Sequence, residues 1–259
     1  MLRGADLKGR VRRSIEDRLL TRPLPLFRPA FALPPDLEAQ SSAAVQQIHE
    51  TSAFFPGVCF AADDLRALRG ALDEAFDGRR PDLKVSTNPR TGIAQVHDPL
   101  RLHTVIVRLA ADQFLCGVVE RYLQRRIFLA DVDVRRVPPM DMSELDRRAG
   151  TKDVGTTSSH WHRDIRGRQV KIMVYLTEVG EQDSNFVFVP GTHAGHHLRP
   201  QQIEESRFTD AWVAAAGIPP VECYGPAGTA MVFDTNLVHR LRRKATGTVR
   251  DSVTFYYTP

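Results

Sequence analysis

The residues best suited to chemistry in this sequence lie in one short segment, residues 158–164, with the sequence SSHWHRD. Side chains alternate along an extended chain, so His162 and Asp164 point to the same face. An imidazole and a carboxylate are two of the three ligands of a 2-His-1-carboxylate site, which leaves positions open on Fe(II) for substrate and oxygen. The third ligand must come from elsewhere, and His239, shortly after the strand-like run 230–233, is the natural candidate.

A second group follows His239 along the chain. Arg250 comes eleven residues later, and Ser252 stands two positions further on. On a strand, this Arg-x-Ser spacing offers a guanidinium fork and a hydroxyl to one carboxylate, as the remote end of a dicarboxylate co-substrate requires. Two alternatives stay open. Arg250 could serve only in a salt bridge, and Ser252 could point to a neighbouring strand or to solvent.

Helical patterns dominate the first half of the chain and strand patterns the second. Apolar residues fall on one face of residues 65–76, after Asp63 or Asp64 as a capping residue, and again at 114–122, after Asp112. Strand-like runs are predicted at residues 54–60, 127–137, 170–177, 186–189, 228–234 and 249–257. This order predicts a mainly β protein with flanking helices and a double-sheet, jelly-roll-like core.

With these motifs in place, residues 52–259 resemble the phytanoyl-CoA dioxygenase (PhyH-like) family of Fe(II)/2-oxoglutarate-dependent oxygenases. The resemblance rests on HRD at 162–164, VFVPGTH at 187–193, GTAMVF at 228–233 leading to His239, and Arg250. It implies a double-stranded β-helix core of the jelly-roll, cupin-like type. It also implies iron held by His162, Asp164 and His239, and 2-oxoglutarate held by Arg250. Ser252 is added from the Arg-x-Ser pattern common in related oxygenases.

The implied activity is that of a 2-oxoglutarate-dependent non-haem iron dioxygenase. Such an enzyme uses O2, is kept active in vitro with ascorbate, and hydroxylates, desaturates or cyclises a small molecule such as a natural-product or acyl intermediate. Asp164 speaks against a halogenase, because halogenases of this family have a small residue at this position and chloride fills the vacancy. Two alternatives remain: a cupin-type metal dioxygenase or isomerase that does not use 2-oxoglutarate, and a β-barrel binding module without metal.

Other histidines near these motifs are predicted to have supporting roles. His160 and His162 form a His-x-His pair of the kind that cupins use, but the Glu that a cupin places shortly afterwards is missing. His160 is therefore predicted to lie in the pocket or to contact a metal ligand. His193 is expected to bond to backbone within its turn, and His196 and His197 to form a loop pair.

Two predicted strands carry polar residues at alternate positions. Lys171, Met173 and Tyr175 share one face of the strand after the HRD segment, and any one of them could contact 2-oxoglutarate if that face is interior. Asp131, Asp133 and Arg135 share one face of the preceding strand. Buried charges are costly without partners, so these residues line a wet pocket or face solvent, and the pocket is slightly favoured.

The basic charge of the chain is concentrated at its N-terminus. Overall, 35 Lys and Arg against 31 Asp and Glu give +4. Residues 1–30 hold eight basic and three acidic side chains, or +5, so the remainder carries 27 − 28 = −1. Without interleaved aromatic residues or a recognition motif, a solvated amphipathic helix at 7–20 is favoured over nucleic-acid binding. Residues 1–50 are predicted to form a helical or irregular extension, and residues 51–259 the oxygenase domain.

The composition also bears on location and partners. The three cysteines are far apart and odd in number, which fits a reducing cytosol, and neither a signal-peptide core nor a membrane-spanning run is present. We therefore expect a cytoplasmic protein with a small-molecule substrate and no nucleic-acid or membrane partner. Basic side chains at 240–244, with Arg163, Arg166 and Arg168, would suit an anionic substrate, although surface solvation explains them equally well.

Overall fold

The computed structural model of the chain describes residues 33–149, 158–164, 168–194 and 207–259. Helices in these ranges are α1 Pro35–Thr51, α2 Ala62–Phe76, α3 Thr104–Ala110, α4 Gln113–Leu123, α5 Met142–Ala149 and α6 Asp210–Ala215. Strands are β1 Ala53–Val58, β2 Val85–Thr87, β3 Ala94–Val96, β4 Phe128–Val137, β5 Val170–Tyr175, β6 Asn185–Val189, β7 Val221–Cys223, β8 Thr229–Asp234, β9 Val238–Arg242 and β10 Arg250–Thr258.

The strands form two antiparallel sheets that face each other. The larger has seven strands in the order β1-β8-β5-β10-β4-β3-β2, and the smaller has three in the order β7-β6-β9. Apolar side chains from both sheets meet between them, among them Met173, Tyr175, Phe186, Phe188 and Phe233. The prediction of a mainly β, double-stranded β-helix core with flanking helices is confirmed.

Helices cover the outer face of the larger sheet. Ile172 and Val174 of β5 pack in one core with Leu68 and Leu72 of α2 and with α4. Because helices cover one face of β5 and the smaller sheet covers the other, all six of its residues are buried. The outer face of this strand therefore packs against helices, and the side chains of its inner face can contribute to a functional site.

The start of one helix differs from the prediction. Asp112 caps α4 as predicted, since its side chain accepts a hydrogen bond from the backbone N–H of Leu115 at 2.8 Å. Neither Asp63 nor Asp64 caps α2, because this helix begins at Ala62 and its capping position is Ala61. Both aspartates lie in the first turn instead, where their charges interact favourably with the helix dipole.

Helix α1 packs on the same core although it lies before residue 51. It contacts α4 and β1, and its Ala44 and Ile48 are buried in the core that α2 and α4 share. The predicted helix at 7–20 lies outside the described residues. The division of the chain at residue 50 stays a prediction, and the packing of α1 argues for an earlier boundary. Among the described residues, no helix combines the length and apolar character of a membrane span.

The replacement Ile48→Ala tests whether α1 belongs to the core. Ile48 is fully buried, so the lost contacts and the cavity left behind are expected to lower the free energy of unfolding by about 2–5 kcal/mol. Urea denaturation measures this change, with the exposed Glu50→Ala on the same helix as control. A loss as small as that of the control would mean that α1 does not pack on the core in solution.

Candidate metal centre

The segment that contains His162 lies beside β9 and extends the smaller sheet. The backbone N–H of His162 donates to the carbonyl of His239 at 2.9 Å, and the N–H of His239 donates back to His162 at 2.9 Å. Residues directly opposite in an antiparallel pair project to the same face. The two imidazole rings accordingly lie 4.3 Å apart between centroids. Asp164, two positions after His162, joins them on this face.

The three side chains converge on one point. His162 Nε2 lies 3.4 Å from Asp164 Oδ1, and His239 Nε2 lies 3.5 Å from Asp164 Oδ2. One potential ligand atom from each residue lies within 4.8 Å of the others. Donors on one side of an ion at about 2.1 Å would be about 3 Å apart, so a small contraction lets all three bind a single metal. The structure therefore brings together the three residues predicted as ligands.

Backbone carbonyls orient both imidazoles. His162 Nδ1 lies 2.8 Å from the carbonyl of His160, and His239 Nδ1 lies 3.0 Å from that of Leu237. A carbonyl can only accept, so Nδ1 carries the proton and the Nε2 lone pair points to the site. Burial lowers the pKa of His239 to about 3, which keeps it neutral at physiological pH. His160 contacts a predicted ligand through its backbone, while its ring bonds to Asp146.

Asp164 is held by a buried lysine. Lys171 Nζ lies 2.6 Å from Asp164 Oδ2 and 4.5 Å from the ring centroid of Tyr256. Burial by itself would raise the pKa of Asp164, but His239, His162 and Lys171 together hold it well below its usual range. The carboxylate is therefore ionised, and Lys171 still leaves Oδ1 available to a metal. The contact between Lys171 and Asp164 was not predicted, because the sequence shows the face of β5 and not the side chain opposite it.

A cavity of about 320 Å³ opens beside the three predicted ligands. Its lining consists of Arg135, Ser158, His162, Arg163, Asp164, Lys171, Met173, Phe186, Arg207, Phe233, His239, Leu241, Arg250, Thr254 and Tyr256. The polar residues come mainly from β4, β5, β10 and the 158–164 segment, and most of the apolar ones from the two sheets where they face each other. The volume lies in the range of small-molecule sites in proteins.

Arg250 lines this cavity as a buried cation. It is 5% exposed, and its Nε atom has no hydrogen-bond partner in the described structure. The guanidinium lies 5.7 Å from the ring centroid of Tyr175, and burial lowers the pKa of Arg250. A buried charge of this kind is costly unless an anion pairs with it. The donor set of the cavity thus fits a bound carboxylate as well as a metal.

Neighbouring residues on β5 and β10 differ in their access to the cavity. Tyr175 is anchored by its hydroxyl, which donates to the carbonyl of Cys223 and accepts from the N–H of Phe186, each at 3.1 Å. Ser252 is buried on the same face of β10 as Arg250 and lies opposite Tyr175. It is not among the residues that line the cavity, so its predicted contact with a carboxylate stays a prediction.

The VPGTH turn at 189–193 supports the strand that carries His239. Thr192 Oγ1 donates to the carbonyl of Val189 at 2.7 Å and accepts from the N–H of Val238 at 2.8 Å. His193 Nδ1 lies 2.6 Å from Ser52 Oγ, so its partner is a side chain and not the backbone predicted. The predicted loop pair at 196–197 lies outside the described residues.

Replacing Thr192 by valine should loosen β9. Thr192→Val removes the hydroxyl with little change of shape and leaves the Val238 N–H buried without its acceptor, so we expect a loss of about 1–3 kcal/mol in the free energy of unfolding. Chemical denaturation measures it. Thr192→Ser keeps the hydroxyl and should lose less, and equal losses in the two variants would contradict a role for the hydrogen bonds.

The charged residues at alternate positions of β4 have different surroundings. Arg135 lines the cavity, as the pocket interpretation predicts, whereas Asp133 is buried outside the lining and forms an ion pair with Arg135. Burial raises the pKa of Asp133. Asp131 lines a separate cavity.

The basic side chains of the cluster at 240–244 also have acceptors within the protein. Arg240 pairs with Asp210 at 2.9 Å, and Arg242 pairs with Glu222. Arg243 donates to the backbone carbonyls of Thr91 and Pro138, and Lys244 reaches Glu222 at 3.5 Å. These charges therefore satisfy acceptors of the protein and do not support the suggestion that the cluster binds an anionic substrate.

Comparison with solved structures places this fold among known enzymes. The epimerase SnoN, in complex with Fe3+, alpha ketoglutarate and nogalamycin RO, matches with a TM-score of 0.63 at 15% identity, over 85% of this chain and 84% of that chain. The carbocyclase SnoK from nogalamycin biosynthesis matches with a TM-score of 0.61 at 15% identity, over 87% of each chain. HygX from Streptomyces hygroscopicus, with nickel, 2-oxoglutarate and hygromycin B bound, matches with a TM-score of 0.57 at 19% identity, over 84% and 86%.

At this level of identity the likeness concerns the fold. No curated protein sequence matches the chain significantly. The family model of phytanoyl-CoA dioxygenase (PhyH) matches residues 53–252, which is 200 of the 259 residues. This range contains every residue predicted as a metal or co-substrate ligand. The chain therefore belongs to the phytanoyl-CoA dioxygenase family of iron- and 2-oxoglutarate-dependent oxygenases.

Proposed function

We propose that this protein is an Fe(II)/2-oxoglutarate-dependent oxygenase of a small molecule, with iron held by His162, Asp164 and His239. The distal carboxylate of 2-oxoglutarate is held by Arg250. The observation that supports this most directly is a buried guanidinium, with an Nε atom that has no hydrogen-bond partner, in the same cavity as the three converging ligands. A dicarboxylate that chelates a metal uses both features.

The buried arginine also separates this proposal from the cupin alternative. A cupin-type dioxygenase or isomerase without 2-oxoglutarate has no use for a cation at the position of Arg250, whose burial is costly without an anion. When bound, a ferrous ion with open coordination positions couples the oxidative decarboxylation of 2-oxoglutarate by O2 to oxidation of a substrate C–H bond.

The side chains of this protein prepare the site for that chemistry. The Nδ1–H bonds turn the Nε2 lone pairs of both imidazoles inward, and Lys171 forms an ion pair with Asp164. Tyr175 packs against the guanidinium of Arg250 and is itself fixed by two hydrogen bonds. Apolar side chains exclude water from the rest of the cavity; they are Met173, Phe186, Phe233 and Leu241.

The reaction we favour is hydroxylation, with desaturation or ring closure as other fates of the same activated carbon. Two fold relatives are named an epimerase and a carbocyclase, and HygX was crystallised with hygromycin B, so relatives with this fold act on or bind complex small molecules. The carboxylate of Asp164 occupies the position that a halogenase must leave open, which supports oxygen transfer over halogenation. The three thiols are unpaired, in keeping with a reducing, cytoplasmic location.

The proposal is tested by 2-oxoglutarate turnover. The protein is reconstituted anaerobically with Fe(II), then given O2, ascorbate and a panel of small molecules, and succinate is measured. We expect succinate to form with wild-type protein and to disappear when a chelator removes the iron. Substrate oxidation without succinate would support the cupin alternative, and a protein that takes up no metal would support a non-enzymatic barrel.

We further propose that Ser252 assists Arg250 through its hydroxyl. A neutral hydrogen bond contributes about 0.5–1.5 kcal/mol, so Ser252→Ala is expected to raise the KM for 2-oxoglutarate by about twofold to tenfold with little change in kcat. Steady-state succinate release measures both constants. An unchanged KM would limit Ser252 to packing between β4 and β5.

A further inference from the structure

The turn between β8 and β9, residues 234–237, contacts two of the three predicted metal ligands through its backbone. The N–H of Asp164 donates to the carbonyl of Thr235 at 3.2 Å, and Nδ1 of His239 lies 3.0 Å from the carbonyl of Leu237. The first bond holds the backbone of Asp164, and the second sets the rotation of the His239 ring. A shift of this turn would therefore move two ligands together.

One carboxylate closes the turn. Oδ1 of Asp234, the last residue of β8, accepts from the backbone N–H of Asn236 at 2.8 Å and from the side-chain Nδ2 of the same residue at 2.9 Å. The backbone carbonyl of Asp234 accepts from the N–H of Leu237 at 3.1 Å. An aspartate that bonds to the backbone two residues ahead of it mimics a backbone turn and fixes its shape. The side chain of Asp234 thus sets the course of the chain between β8 and β9.

The other oxygen of Asp234 is held by helix α4. The hydroxyl of Tyr122 donates to Asp234 Oδ2 at 2.6 Å, and both side chains are buried. A hydrogen bond from a hydroxyl to a carboxylate is short and roughly twice as strong as a neutral one. Burial and the charge of Asp234 raise the pKa of Tyr122, so the hydroxyl keeps the proton that it donates. This bond ties the turn to a helix that packs on the larger sheet.

The pair of Tyr122 and Asp234 reaches the metal site only through the turn. Neither residue is among those that line the cavity beside the predicted ligands. A buried carboxylate is costly, and two apolar side chains of similar shape could replace such a pair with little effect on stability. What the pair adds is a fixed geometry for the turn, and ligand-bearing segments need such support.

We propose that Asp234 is a positioning residue of the metal centre, which holds the turn at 234–237 so that Asp164 and His239 are aligned for a metal. The inference rests on the proposed function and concerns the same site. Tyr122 acts on the ligands through Asp234, because its hydroxyl bonds to the carboxylate and not to the turn itself. Loss of a group that orients metal ligands lowers metal affinity by about 10–100-fold.

Co(II) tests this proposal, because its binding reports affinity and its visible absorption reports the arrangement of its ligands. The protein is titrated anaerobically with Co(II), and the spectrum is recorded at saturation. We expect Asp234→Ala to weaken Co(II) binding by about 10–100-fold and to change the spectrum. Asp234→Asn keeps an acceptor for the N–H of Asn236, so its affinity should lie between those of wild type and Asp234→Ala.

Tyr122→Phe is the milder variant, since it removes one hydroxyl and keeps the ring. We expect it to weaken Co(II) binding by about twofold to tenfold, because Oδ1 of Asp234 still closes the turn. In the double variant Asp234→Ala/Tyr122→Phe the second change should cause no further loss, because the hydroxyl has already lost its acceptor. Losses that simply add would contradict an action of Tyr122 through Asp234.

Asp112→Ala is the matched control for a weakened α4. It removes the cap of the helix that carries Tyr122 but leaves the bond to Asp234 intact, so the affinity for Co(II) and the spectrum should match those of wild type. Equal weakening in Asp112→Ala and Tyr122→Phe would overturn the proposal, because loss of helix stability would then explain both.

The remaining outcomes separate this proposal from the function on which it rests. A wild-type spectrum in Asp234→Ala would overturn the proposal, since the ligands would then reach the same arrangement without Asp234. If Asp234→Ala does not fold, wild-type Co(II) affinity in both Asp234→Asn and Tyr122→Phe would overturn it as well. Failure of the wild-type protein to bind Co(II) would refute the proposed function itself.

Discussion

Asp164→Ala is expected to abolish succinate formation and to lower the affinity for Fe(II) or Co(II) more than about 100-fold. Loss of a group that merely orients a metal ligand lowers metal affinity about 10–100-fold. Asp164 is itself the carboxylate ligand of the proposed site, so its loss should have a larger effect. The variant also leaves the ammonium of Lys171, 2.6 Å from the lost carboxylate, as a buried cation beside the metal position. Anaerobic Co(II) titration and a succinate assay measure the two effects.

A double variant separates the lost ligand from the charge that remains. Asp164→Ala/Lys171→Met removes the ammonium as well, so it should be more stable than Asp164→Ala and bind Co(II) more tightly, though still less tightly than wild type. Asp210→Ala is the control, because it breaks an ion pair outside the cavity. Undiminished 2-oxoglutarate turnover in Asp164→Ala would refute the proposed metal site.

Arg250→Met is expected to raise the KM for 2-oxoglutarate by about 30-fold to 4,000-fold. Truncating one partner of a buried charge pair costs about 2–5 kcal/mol, and each 1.4 kcal/mol is about tenfold in affinity. Metal affinity should be unchanged, because Arg250 is not among the converging ligands. The fold should be no less stable, since methionine fills similar space without a buried charge.

A shorter co-substrate makes this prediction specific to the distal carboxylate. 2-Oxobutyrate chelates a metal as 2-oxoglutarate does but lacks the second carboxylate. Wild-type protein should strongly prefer 2-oxoglutarate in a calorimetric titration, and Arg250→Met should bind both ligands about equally weakly. Arg242→Met, which breaks the outer ion pair with Glu222, is the control. A preference for 2-oxoglutarate that survives in Arg250→Met would place the distal carboxylate on another residue.

Local pattern was sufficient to predict most of the strands of the core. β4, β5, β8 and β10 each contribute apolar residues at alternate positions to the core that the helices cover, and in β5 and β8 the residues between them face the space between the sheets. The shorter strands β2, β3 and β7 have three residues each, too few for a period to show.

The strand that carries His239 was not predicted, because its charged residues mask the strand pattern. β9 has the sequence VHRLR, and its arginines suggest an exposed basic loop as the alternative to a ligand-bearing strand. Arg240 and Arg242 face outward to Asp210 and Glu222, which lie thirty and twenty residues away in the sequence. Partners so distant in the sequence leave no local signal, so the strand is visible only from its pairing with β6 and with His162.

The sequence alone determined which side chains could form the metal site, because a period of two along an extended chain puts His162 and Asp164 on one face. It also determined the sheet-rich core, through alternating apolar residues. Only the tertiary structure decided which strands are neighbours. Pairing joins His162 to His239 on one side and to Arg207 on the other, and brings Lys171 to Asp164. The face of a strand on which a side chain lies depends on its position along that strand, whereas the neighbouring strand depends on how the whole chain folds into two sheets.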